Sequence, residues 1–106
     1  MNEERLQKLK EWEEQKPDDA FLKFAIAQEY VSGQMDEEAR SYFEVLTQHF
    51  PDYLATYYQF GNLYERLGEV QKAGDAYRKG MEVAKAANDL KTLRELNEAL
   101  TLLEDE

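Results

Sequence analysis

The sequence predicts an all-α protein built from antiparallel helix–turn–helix pairs, about six helices in 106 residues. Three observations carry that prediction. Apolar residues recur at i, i+3, i+4 spacing within each segment. The segments are separated by short breaks rich in Pro, Gly, Asn and Asp, such as Lys16-Pro17-Asp18, Ser32-Gly33 and Asn88-Asp89. No segment shows the alternation of a half-buried strand. Short connections favour antiparallel neighbours.

The first helix spans Asn2 to Lys16, with one narrow stripe of Leu6, Leu9 and Trp12 that covers a core on one side. Pro17 stops it, because the residue before proline disfavours the α region. Asp18 and Asp19 then supply acceptors and negative charge to the second helix, which runs to about Val31. Phe21, Leu22, Phe24, Ala25, Ile26, Ala27, Tyr30 and Val31 spread over more than half of its surface, so it is sandwiched or offers one face to a partner. Gly33 ends it, expected in the left-handed conformation. Asp36 is the expected N-cap of the third helix, which buries Ala39, Tyr42, Phe43, Leu46 and Phe50.

Helices over Asp52 to Arg66 and Glu69 to about Ala86 follow, joined at Leu67-Gly68. The second contains Gly74 and Gly80, each costing about 1 kcal/mol relative to Ala in a helix interior. Gly80 is expected where a neighbouring helix comes close. The last helix, to about Leu103, carries Leu90, Leu93, Leu96, Leu100 and Leu103 on one stripe and is otherwise polar. That is the pattern of a capping helix.

Composition excludes several classes. The chain has the length of one domain, and can bury roughly 60–70% of its unfolded surface. Its net charge of −10 opposes nucleic acid and anionic membranes, and an acidic surface serves solubility or a preference for basic partners. The absence of Cys excludes disulfides and thiol nucleophiles, and fits a reducing compartment. No apolar run approaches the ~18 residues of a membrane span, and the charged N-terminal stretch is not a signal peptide. A cytoplasmic protein with no membrane insertion is expected.

The segments repeat. Pro17-Asp18 and Pro51-Asp52 lie 34 residues apart, as do Tyr30 and Tyr64, and Ala39 and Ala73. Phe43 and Tyr77 match in character, and one further step back sets Leu9 against Phe43 and Trp12 against Leu46. The first helix is then the second half of a repeat. Small residues at Ala27, Gly61, Ala39 and Ala73 let paired helices approach, while Tyr30, Tyr64, Phe43 and Tyr77 fill the space between layers.

The spacing Tyr57-x2-Phe60-Gly61-x2-Tyr64, then Ala73-x3-Tyr77, resembles the tetratricopeptide repeat. The resemblance covers nearly the whole chain: a half-repeat (2–16), repeats at 20–53 and 54–87, and a capping helix (89–104). It implies a short right-handed α-solenoid. The first repeat departs at Lys23, where the family usually has a large aromatic. The second lacks the closing Pro, with Lys85 in its place, which fits a helix running on about a turn.

Signals for catalysis are poor. His49 is the sole His and stands beside Phe50-Pro51, as expected of a structural or surface residue. With no Cys and no second His, no zinc site can be built. The acidic runs read as caps and solvated faces, and the glycines form no phosphate-cradling loop. No enzyme, metal or cofactor is expected, and carboxylates alone support a catalytic alternative only weakly.

The resemblance implies a concave face lined by the first helix of each pair. The aligned residues are Phe21, Phe24, Gln28 and Val31 in the first repeat, and Ala55, Tyr58, Asn62 and Glu65 in the second. Phe21, Phe24 and Tyr58 are not required for the repeat's own core. Aromatics beside amides suit a groove that takes a peptide or helix segment. Some family members clamp a C-terminal carboxylate with Lys and Asn on this face. Phe24, Gln28 and Gln59 stand at clamp positions here, so no such clamp is expected. The expected function is a protein-interaction module or adaptor. The competing expectations are that these aromatics pack under the terminal helices, or that the chain is a homo-oligomerising scaffold with no separate ligand.

Overall fold

A computed structural model describes residues 1–105, which contain six helices and no strand. They are α1 (Glu3–Gln15), α2 (Ala20–Ser32), α3 (Asp36–His49), α4 (Ala55–Arg66), α5 (Val70–Ala86) and α6 (Leu90–Glu104). The chain divides into two compact units, Met1–Tyr53 and Leu54–Glu106.

In the first unit α2 packs against α3, and α1 against α2. Asn2 caps α1, its side chain accepting from Arg5 N, and Asp19 caps α2, accepting from Leu22 N. Leu9, Leu22, Ile26, Ala27, Tyr30, Ala39, Phe43 and Leu46 are buried. Trp12 is not: it is 51% exposed, against the expectation that it shares the buried stripe with Leu9.

Polar contacts hold α1 in place. Glu13 Oε2 accepts from Lys23 Nζ at 2.9 Å, and Glu13 Oε1 accepts from the Tyr42 hydroxyl at 2.9 Å. At the other end of α1, Glu29 accepts from Asn2 N and Arg5 Nη1. The Lys in place of the repeat's aromatic therefore has a partner on α1.

In the second unit α4 packs on α5 and α5 on α6. Ala73, Tyr77, Ala84, Leu96, Leu100 and Leu103 form one buried cluster, flanked by Tyr64 and Met81. Phe60 is buried and stacks on Tyr64 with ring centroids 4.3 Å apart. A Cβ on Gly61 would overlap the Tyr77 ring, whose Cδ1 would stand 2.6 Å away. One on Gly80 would lie 2.7 Å from Tyr57 Cβ and 2.9 Å from Leu96 Cδ1, so α5 approaches both neighbours closely at Gly80 as expected. α5 has 17 residues against 14 in α3, matching the run-on inferred from Lys85.

Three helix boundaries depart from expectation. The left-handed residue after α2 is Gln34 (φ 56°), and Gly33 has φ −90°. Gly33 instead leaves room for Met1, since a Cβ there would stand 2.8 Å from Met1 Cβ. Gly68 (φ 76°) after α4 and Asn88 (φ 57°) after α5 occupy the same role as Gln34. At each, the next residue's N–H returns to a carbonyl five residues back: Met35 to Tyr30, Glu69 to Tyr64 and Asp89 to Ala84.

Asp36 is not the N-cap of α3 but its first residue. Met35 holds the cap position, because the same residue closes α2 through its N–H. Lastly, α4 starts at Ala55 rather than Asp52. Pro51 and Asp52 form a turn in which Tyr53 N donates to Phe50 O. The position 34 residues after the capping Asp19 is Tyr53, which has no short acceptor to cap a helix.

Candidate functional site

The eight residues aligned on the first-helix faces fall into two sets, one on each unit. On α2, Phe21 is 61% exposed, while Phe24, Gln28 and Val31 are half-buried. Phe24 is not spare. Its ring lies 6.3 Å from that of Phe43 and 5.7 Å from that of Tyr53, so it belongs partly to the core of the first unit. Phe21 borders a cleft of about 550 Å³ between α1 and α2, lined also by Arg5, Lys8, Leu9 and Trp12 of α1 and by Ala25, Gln28 and Glu29 of α2. Trp12 and Phe21 are the two large exposed aromatics of this cleft. The periodicity hid Trp12 by placing it with buried Leu46. Its isolation on a thin stripe was the available signal.

On α4, Ala55, Asn62 and Glu65 are exposed, and Tyr58 is 37% exposed. Tyr58, Asn62 and Glu65 come together at a cleft of about 450 Å³ closed by Tyr77 of α5 and by Ala99, Leu102 and Asp105 at the end of α6. Ala55 does not line it. The Tyr58 and Tyr77 rings lie 6.1 Å apart, much as Phe24 and Phe43 do at the same offset in the first unit.

Tyr77 adds something its counterpart Phe43 cannot. Its hydroxyl donates to Glu65 Oε2 and stands 2.8 Å from Asn62 Oδ1, so one phenol proton is shared by two acceptors on successive turns of α4. Burial, then the bond to Glu65 and its charge, pushes the Tyr77 hydroxyl far above the ordinary phenol range. Tyr42 is pushed up in the same way, by burial and then by its bond to Glu13. Tyr77 was expected only as filler between layers. The change from Phe43 to Tyr77 across the repeat was the one sequence sign of this polar role.

Among the described residues no three His, Asp or Glu side chains converge to hold a metal ion, and no helix is long and apolar enough to cross a membrane. His49 is exposed.

A sequence profile of the tetratricopeptide repeat family matches residues 19–53. A solution structure of a tetratricopeptide repeat domain protein from Salinibacter ruber is 40% identical, covering 84% of this chain and 90% of that one, with a TM-score of 0.81. A crystal structure of such a protein from the same organism is also 40% identical, covers 83% and 98%, and has a TM-score of 0.79. A protein from Bordetella parapertussis shares the fold at 20% identity, with a TM-score of 0.81 over 94% and 87% of the two chains. A search of curated proteins found no match. This chain belongs to the tetratricopeptide repeat family, whose domains are in general non-catalytic scaffolds that bind other proteins.

Proposed function

We propose that the chain is a non-enzymatic adaptor that holds a peptide or helical segment of another protein on its first-helix faces. The contacts are Phe21, Phe24, Gln28 and Val31 on the first unit and Ala55, Tyr58, Asn62 and Glu65 on the second. The observation that carries this reading is the exposure of Phe21 and Tyr58, each lining a cleft with apolar neighbours, Leu9 and Ala25 in the first and Ala99 and Leu102 in the second. Large aromatics in a concavity are the usual anchors of an interface. A reducing, cytoplasmic setting fits the lack of cysteine.

The test is affinity capture from native extract with the wild type and a Phe21→Ala/Tyr58→Ala variant. The variant should lose a partner that the wild type retains while keeping its melting temperature. Equal capture by both proteins sinks the proposal. The second reading, a self-associating scaffold, is favoured by one observation: Trp12 and Phe21 expose two aromatics in one cleft. Sedimentation showing a monomer at all concentrations removes it.

A further inference from the structure

We infer that the cleft of the second unit receives a cationic side chain of the partner, arginine in preference to lysine, next to an apolar residue. This rests on the reading of the chain as a binding module. Four features converge there. Tyr58 lines the cleft and is 37% exposed. Glu65 is held through Oε2 by Tyr77, and among the described residues its Oε1 has no partner. Asp105 brings a second carboxylate from the end of α6, and no Lys or Arg lines the cleft to neutralise either. Leu102, 70% exposed, supplies an apolar wall for the stem of the cation or for its neighbour.

These features are not demanded by the fold. At the matching positions of the first unit stand Phe24, Gln28, Val31 and Phe43, all uncharged, and that unit folds on the same helix pairing. The Tyr77 hydroxyl also orients Glu65 in advance, so less side-chain freedom is lost when a donor arrives. A guanidinium suits the site better than an ammonium. It can stack on the Tyr58 ring and place paired N–H groups against a carboxylate. The net charge of −10 favours approach of such a segment.

The test uses four synthetic capped peptides, identical except for one residue beside a leucine: Arg, Lys, Gln or Glu. Backbone amides of Tyr58, Asn62, Leu102 and Asp105 are followed by NMR. The Arg peptide should shift these amides and bind about tenfold more tightly than the Gln peptide, with Lys between them and Glu weakest. Glu65→Gln and Asp105→Asn should each remove most of that advantage without changing binding of the Gln peptide. In Glu65→Gln the side-chain carbonyl can still accept from the Tyr77 hydroxyl, so the fold is retained. If all four peptides bind this cleft equally, charge selection is wrong and the binding-module reading stands. If none shifts these amides, the inference fails. If capture from native extract is then also indifferent to Tyr58→Ala, the binding face on the second unit fails with it.

Discussion

Glu13 of α1 and Lys23 of α2 form an ion pair of 2.9 Å, with the two side chains only 18% and 13% exposed. Lys23 stands 34 residues before Tyr57, a buried aromatic of the second unit. The first unit has exchanged an aromatic contact for a charge, and α1 supplies its partner. Lys23→Met should destabilise the protein by about 2 kcal/mol, because it leaves a half-buried carboxylate with only the Tyr42 hydroxyl. In a double-mutant cycle with Glu13→Gln, denaturant unfolding should give a coupling of about 1–2 kcal/mol. Additive single effects mean the pair contributes nothing of its own.

The glycines of α5 should respond in opposite directions. Gly80→Ala places a methyl group against Tyr57 and Leu96 and should cost about 1–3 kcal/mol. At Gly74 the first atom met is Arg78 Nη1 at 3.1 Å, the far end of an exposed side chain that can move aside. Gly74→Ala should therefore gain up to about 1 kcal/mol from helix propensity. Melting curves of the two variants on opposite sides of the wild type are the expected result. A loss of stability in both contradicts it.

Gln34 is a long side chain in the left-handed region, where Gly68 serves the second unit. Gln34→Gly should raise stability by about 1 kcal/mol, and Gly68→Ala, with open space around it but φ 76°, should lower it by a similar amount. Equilibrium unfolding of both proteins decides the point. No change at either site refutes it.

Phe21 and Phe24 lie three residues apart on α2 and should behave differently. Phe24→Ala should cost about 1–3 kcal/mol because its ring packs on Phe43 and Tyr53. Phe21→Ala should change stability by less than about 0.5 kcal/mol, as most surface substitutions do. Equal losses in the two unfolding curves mean that Phe21 is core.

Alkaline pH should unfold the protein through its tyrosines. Tyr42, Tyr53 and Tyr77 are all raised above the ordinary phenol value of 10.0. A group whose folded pKa exceeds its unfolded one stabilises fully below the unfolded value. Its contribution is lost as pH rises through the folded value. Stability should thus hold to about pH 9–10 and decline above it. Tyrosinate absorbance should show part of the seven tyrosines ionising only with unfolding, and Tyr77→Phe should move that transition to higher pH. Titration of all seven tyrosines as ordinary exposed phenols excludes this mechanism.

Much of the fold was legible because helix burial follows a short local period. Leu9, Ile26, Ala39, Phe43, Tyr77 and Leu96 are buried where the i, i+3, i+4 stripes place them. The small residues were legible too: Gly61 and Gly80 stand where helices meet, since only a close neighbour justifies glycine inside a helix. Asp19 and Asp89 cap α2 and α6, each accepting from the backbone three residues on, as short acidic side chains before an apolar run should.

Residue order alone was enough for the helices, their pairing and the family, because each depends on spacing along one chain. Which outward-facing residues are available for binding depended on packing in three dimensions. Trp12 and Leu9 share a stripe, yet one is exposed and the other buried, since periodicity gives the side of a helix and not what covers it. Phe24 is drawn from the exposed face by two rings, both distant in sequence. Tyr77, Glu65 and the end of α6 meet across long sequence separations, which no local pattern records.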